Sequence, residues 1–156
     1  MRHVLAVNWF FQHVIGVNRS VPWSIHFTWQ VLWPSRIHMG HSVWRYFATS
    51  GNLYVNASNG IVIGDDTLIA SGVKLVSANH GPAANRETLP APAIVIGARC
   101  WLGANSVVLP GVALGDETTV GAGAVVTRSF PQGHITLVGV PAHPVIRSQK
   151  MGEEHG

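Results

Sequence analysis

A single cysteine in 156 residues leaves no intramolecular disulfide on which a framework could rest. Charge is nearly as scarce, with 11 % Asp, Glu, Lys and Arg against 47 % hydrophobic residues, a balance that suits faces covered by other subunits. Ten basic residues outnumber seven acidic ones, for a net charge of +3, but they are scattered from Arg2 to Lys150. A nucleic-acid-binding face would cluster them, so that class of partner is set aside. Long apolar runs are also missing. The stretch "HVLAVNWFFQHVIGV" is shorter than the roughly 20 residues of a membrane span. Asn8, Gln12 and His13 interrupt it, and no small-x-small cleavage site follows, so it does not read as a signal peptide. Length alone gives one domain.

What the chain does have is a period of six. In "IVIGDDTLIASGVKLVSANH" the aliphatic residues Ile63, Ile69 and Leu75 recur in that step. The same phase returns in "IGARCWLGANSVVLPGVALGDETTVGAGAVVTRSFP", led by Ile96, Leu102, Val108, Leu114, Val120 and Val126. Small residues follow many of them (Gly64, Ala70, Gly97, Gly103, Gly115, Gly121), and Thr67, Val73, Asn79, Cys100, Ser106, Val112, Thr118, Ala124 and Phe130 stand four places on. This is neither the 3.6 of a helix nor the 2 of an isolated strand. It fits a short extended segment and a tight turn, with the aliphatic residue and the fifth position pointing inward. Units of that kind stack into a solenoid, each rung burying its apolar face against its neighbours. Three hexads close a triangular coil, so residues 63 to 80 make one and 96 to 131 make two more; residues 39 to 62 keep the phase more loosely through Met39, Val43, Val55 and Ile61.

The hexads pause after His80 for "GPAANRETLPAPAIV", residues 81 to 95. A long interruption of a regular solenoid maps to a loop on one face, often the functional one. Ahead of the repeat, Val4, Val7, Phe11 and Val14 space as the apolar side of an amphipathic helix, with Asn8 and Gln12 on a neighbouring side. A Trp-rich segment with Trp23, Trp29 and Trp33 follows between Pro22 and Pro34. The expectation for residues 1 to 36 is a packed helical and aromatic cap on the solenoid, and docking to a membrane or a lipid-linked substrate is the alternative. The repeat domain is expected at 37 to 147, with a tail at 148 to 156.

The repeat resembles that of the hexapeptide-repeat acyltransferases, over residues 37 to 147. That resemblance implies an all-β solenoid, a left-handed parallel β-helix with one long loop excursion. It implies an acetyl-CoA-dependent O-acetyltransferase acting on a sugar or a surface polysaccharide, with no metal. It also implies a cytoplasmic homotrimer whose active sites lie between subunits. Within the family, "NH" closing a hexad before an excursion resembles the catalytic histidine of the sugar O-acetyltransferase branch, which makes His80 the general base and Asn79 its neighbour in the acceptor site. "GNLYVN" resembles the segment ending in an acceptor-site asparagine, here Asn56. "CWLGANSVVLPGV" is similar to the coil after the loop, where Trp101 would wall the site and Gly103 and Ala104 would receive the pantetheine arm. "VGAGAVVTR" resembles the coenzyme A groove, with backbone contacts at Ala122 and with Thr127 and Arg128 toward the nucleotide. "GVPAHPVIR" resembles the family's exit from the solenoid, but His143 stands where Lys or Arg is usual and Pro144 adds a residue; Arg128, Arg147 and Lys150 remain to meet a 3′-phosphate.

The buried-looking Cys100 is a poor acyl carrier. Zinc-dependent carbonic anhydrases of the same solenoid need two ligand histidines close together, and after His80 the next is His134. Two further readings stay open: an inert scaffold, which would need only the inward aliphatics, and N-acetylation of an amino sugar.

Overall fold

The computed structural model describes residues 1–81 and 88–145. The chain winds as a three-faced prism, and each turn contributes one short strand to each face in the same order. The first face begins with β1 (Gln30–Leu32) and the second with β2 (Ile37–Met39). Helix α2 (Trp44–Thr49) then takes the place of a strand on the third face. The regular cycle starts with β3 (Tyr54–Asn56), β4 (Ile61–Ile63), β5 (Leu68–Ile69) and β6 (Lys74–Val76). A small antiparallel pair, β7 (Asn79–His80) and β8 (Thr88–Leu89), interrupts it. The coil resumes with β9 (Ile94–Ile96), β10 (Trp101–Leu102), β11 (Val107–Val108), β12 (Ala113–Leu114), β13 (Thr119–Val120) and β14 (Val125–Val126). It ends in β15 (Thr136–Val138) and an antiparallel β16 (His143–Pro144).

The three faces are therefore β1-β3-β6-β11-β14, β2-β4-β9-β12 and β5-β10-β13-β15, each parallel throughout. Register follows the repeat: Ile69, Leu102, Val120 and Leu137 stack on one face, and Val55, Leu75, Val108 and Val126 on another. Ile96 pairs with Leu114, 18 residues on, whereas Ile63 pairs with Ile96, 33 residues on. The excursion thus leaves the coil and returns in phase. All nine leading aliphatics from Ile63 to Val126 are at most 2 % exposed, and so are the fifth positions from Thr67 to Ala124, Asn79 excepted.

Parallel stacking begins at β1, which pairs with β3 through Val31 and Val55. The turns of the coil are not made by the glycines that follow the aliphatics. The left-handed residues come two places later, at Asp66, Gly72, Arg99, Asn105, Gly111, Glu117 and Gly123. Glycine at 103 answers a different need: a Cβ there would sit 2.6 Å from the Val120 carbonyl oxygen and 2.7 Å from the Ala122 nitrogen, backbone atoms of the next coil. Close stacking, not φ, requires it.

The N-terminal segment is helical, as α1 (Arg2–Phe10) followed by a π-helical turn at Phe11–Ile15, but of the expected apolar side only Val4 and Phe11 are half-buried. Asn8 and Gln12 are buried, while Val7, Phe10 and Val14 are exposed. The Asn8 amide donates to the Ala48 carbonyl at 2.9 Å, and the Gln12 amide to those of Val21 at 2.7 Å and Trp23 at 3.1 Å. Polar side chains hold the helix on, through backbone acceptors that the loop and α2 leave over. Of the three tryptophans in the following segment, Trp29 packs into the core against Phe47, Trp23 is half-buried and Trp33 is exposed.

Candidate active site

The site grows from a missing turn. At Asp66 and Gly72, and again from Arg99 to Gly123, each corner residue enters the left-handed region, yet Ala78, where the phase asks for the next one after Gly72, does not. The chain runs straight on into Asn79 and His80, which pair with Leu89 and Thr88. Asn79 is exposed rather than inward, a departure from the repeat, because here the strand has already left the prism. His80 is exposed as well, and its backbone N–H donates to the Asn79 side-chain oxygen at 3.0 Å.

Both limbs of the excursion are tied to the coil beneath. The Ser77 N–H donates to the Asn56 carbonyl at 2.8 Å, and the Ser77 hydroxyl to the same oxygen at 3.0 Å. Asn59 donates from its backbone N–H to the Ser77 hydroxyl at 2.9 Å. Its side-chain amide donates to the Ser77 carbonyl at 2.7 Å and to the Leu89 carbonyl at 3.2 Å. Asn59 therefore clamps the outgoing and the returning strand together. Sequence reasoning passed it over, although an Asn-Gly pair one coil below an excursion is a readable turn signal. Asn56, half-buried at the same corner, spends its side-chain oxygen on the Ser58 N–H at 3.1 Å.

The remaining expected residues sit elsewhere on the prism. Trp101 lies on the third face, between Leu68 and Thr119 in the ladder, and is 53 % exposed. Tyr46, Thr49, Leu68 and Ser71 join it around an open cavity of about 410 Å³. Gly103, Ala104 and Ala122 form the next corner: Gly103 is buried, the two alanines are exposed, and the Gly123 N–H donates to the Ala104 carbonyl at 2.8 Å. Thr127 and Arg128 follow at the far end of β14. With Val140, Pro141, Ala142 and His143 they line a cavity of about 490 Å³, where the Arg128 guanidinium lies 5.1 Å from the centre of the Phe130 ring. Arg147 and Lys150 fall outside the described residues.

One chain thus brings together Asn56, Asn79 and His80 at one corner, and Gly103, Ala104 and Ala122 at another, with Trp101 on the face that leads into the second. It does not bring His80 to Trp101. Cys100 is fully buried and its thiol donates to the Gly115 carbonyl at 3.3 Å. Burial pushes that thiol up from its ordinary value, so it offers no accessible nucleophile.

Comparison with known proteins agrees with this geometry. Residues 93–128 match the family model described as the hexapeptide repeat of succinyl-transferase. A candidate lipopolysaccharide biosynthesis O-acetyl transferase of Escherichia coli (strain K12), WbbJ, is 37 % identical over 70 residues. That match takes in 37 % of this chain and only 36 % of the relative's length. A galactoside acetyltransferase in complex with coenzyme A superposes with a TM-score of 0.70 at 25 % identity, over 92 % of this chain and 78 % of that one. A hexapeptide-repeat acetyltransferase of Vibrio cholerae O1 biovar eltor, complexed with acetyl coenzyme A, gives 0.63 at 26 % identity, over 79 % and 66 %. Residues 93–128 carry the hexapeptide repeat, and with the six-residue period closing three parallel faces the chain has the fold of the hexapeptide-repeat acetyltransferases on which it superposes.

Proposed function

We propose that this protein is an acetyl-CoA-dependent O-acetyltransferase with a sugar hydroxyl as acceptor, a surface polysaccharide or its precursor. The observation that carries the reading is the break in the coil at Ala78, which projects Asn79 and His80 outward from a rigid wall instead of folding them inward. The coenzyme A and acetyl coenzyme A complexes of the two superposed acetyltransferases, and the name of the WbbJ relative, support the donor and the acceptor class. A donor made inside the cell sets the reaction in the cytoplasm.

In this mechanism the His80 imidazole takes the proton of the acceptor hydroxyl as its oxygen attacks the thioester carbonyl carbon. An imidazole nitrogen can take a proton and hand it on, which suits it to that exchange. The tetrahedral oxyanion is met by the Ala104 backbone N–H, the Gly103 N–H being given to the Val120 carbonyl at 2.8 Å. It collapses with cleavage of the carbon–sulfur bond, and the imidazolium returns the proton to the coenzyme A thiolate. No acyl-enzyme forms. The pantetheine arm runs past Ala104 and Ala122, with the nucleotide toward Thr127 and Arg128, while Asn56, Asn79 and Trp101 shape the acceptor side. Arg128 can grip a phosphate bidentately, which the ring of His143 cannot. Because His80 and Trp101 lie on different parts of one prism, the site closes only when a neighbouring copy supplies the second half, and we assign a homotrimer on that ground.

Two measurements test this. Calorimetric titration with acetyl-CoA should show micromolar binding that weakens with 3′-dephospho-CoA and in Arg128→Ala. His80→Ala should then lower kcat with a sugar acceptor by about 10²–10⁴-fold while leaving coenzyme A affinity unchanged. Wild-type turnover in His80→Ala would remove the base assignment, and absence of acetyl-CoA binding at millimolar concentration would overturn the transferase reading in favour of a scaffold.

A further inference from the structure

Helix α1 and the turn after it half-bury Val4, Leu5 and Phe11 but leave much apolar surface facing outward. Asn8 and Gln12 point inward and are consumed by backbone carbonyls. Outward stand Val7, Trp9, Phe10, Val14 and Ile15, each at least 43 % exposed. Trp44 at the start of α2 extends this surface at 39 % exposed, with the Arg45 guanidinium 5.9 Å from its ring centre. Trp9, Trp44 and Arg19 share the lining of one cavity of about 580 Å³. A contiguous apolar surface of this kind marks a partner site.

The charge around it names the partner. Residues 1 to 64 hold four arginines (Arg2, Arg19, Arg36 and Arg45) and not one Asp or Glu; the first acidic residue is Asp65. Among the described residues none of the four is in an ion pair. Asp65 and Asp66 come near this surface but are taken up by the His41 N–H at 2.7 Å and the Ser42 hydroxyl at 2.6 Å, so a self-complementary contact between two such surfaces would chiefly set arginine against arginine. An anionic lipid headgroup layer supplies both the missing negative charge and, just beneath it, the apolar medium that tryptophan and phenylalanine seek. Tryptophan beside arginine is the side-chain pairing of a membrane–water interface. Among the described residues no helix is long and apolar enough to cross a bilayer, so the contact is with its surface.

We propose that the outward side of residues 7 to 15, with Trp44 and the arginines around it, docks the protein on an anionic lipid surface. The docking acts independently of acyl transfer and is tested without acetyl-CoA. Full-length protein is sedimented with vesicles of phosphatidylcholine alone and of phosphatidylcholine mixed with phosphatidylglycerol, at low and high salt, with Trp fluorescence recorded. The expected result is partition onto the anionic vesicles only, weakened by salt and accompanied by a blue shift. The pair Phe10→Ser with Val14→Ser should lower the partition coefficient by at least about ten-fold. Arg2→Gln and Arg45→Gln should each lower it by about five-fold. Circular dichroism melts confirm that the variants fold, and Val7→Ser replaces the pair if it does not. Absence of partition, or equal partition onto both kinds of vesicle, overturns the proposal. So does a serine variant that dissociates an oligomer in sedimentation velocity while the wild type ignores vesicles, since the surface is then a subunit contact.

Discussion

Arg99 and Glu117 sit one coil apart, both in the left-handed region, where glycine or asparagine would be easier. What keeps charged side chains there is the stack they form. Ser42, Asp66, Arg99, Glu117 and His134 occupy equivalent corners with positive φ. The Ser42 hydroxyl donates to Asp66 at 2.6 Å, Arg99 donates to Glu117 through Nε at 3.0 Å and through Nη2 at 2.9 Å, and His134 lies 3.1 Å from Glu117. The hydrogen bond from Arg99, then the nearby His134 charge, hold the Glu117 carboxyl below its ordinary value of 4.5. A carboxylate with a depressed folded pKa stabilises fully above its unfolded value, and that contribution is lost as pH falls through the folded one. Glu117→Gln should therefore lower stability slightly at pH 7, the pair being exposed, and that small difference from wild type should vanish in urea titrations as pH falls below about 4.5. Cys100 gives a second residue-scale prediction. A disulfide reagent should leave the native thiol unlabelled over the time in which the urea-unfolded chain reacts to one equivalent, and prompt native labelling would contradict its burial.

At the scale of elements, two contacts between coils decide whether the site holds its shape. Asn59 joins Ser77 and Leu89 across the root of the excursion, so Asn59→Ala removes both tethers while sparing every inward aliphatic. The Leu89 carbonyl can turn to water, but the half-buried Ser77 carbonyl left unanswered costs about 1–3 kcal/mol. The expected signature is a fall in kcat larger than the loss of stability, with coenzyme A affinity retained; Asn59→Asp, which keeps the shape but not the donor, should not rescue it. Gly103→Ala acts differently. Its Cβ would push on the backbone at Val120 and Ala122, and overpacking of this kind costs about 1–3 kcal/mol, readable as a lower urea midpoint. Because the displaced atoms are those of the proposed pantetheine ledge, acetyl-CoA affinity should fall with it.

Across the whole molecule, the solenoid was legible because each hexad carries its own answer: an aliphatic residue such as Leu102 or Val120 is buried by the same neighbours wherever the coil places it. The place where the coil opens, at Asn79 and His80, was legible for the same reason, since the phase breaks there. The orientation of α1 was not, because an apolar stripe was assumed to face the core, whereas the carbonyls of Ala48, Val21 and Trp23 demanded donors that only Asn8 and Gln12 could give. Nor was α2, where Phe47 and Ala48 pack inward on a face that the repeat reserves for a strand. The outward faces of the prism raise the last question. On the second face Val62 pairs with Val95 and Val95 with Ala113, a stripe without charge, and both valines are about two-fifths exposed. A parallel β-sheet is rarely left facing water on its outer side. If this stripe is where copies meet, a carboxylate at Val95 must be buried against its symmetry mates, and unpaired buried charge is among the costliest changes to an interface. Val95→Glu should therefore shift sedimentation velocity from trimer to monomer while the isolated fold keeps its circular dichroism. Turnover should fall with the trimer, because monomers keep His80 and Trp101 on separate sides. A monomeric Val95→Glu variant with undiminished kcat would show that one chain holds the whole site.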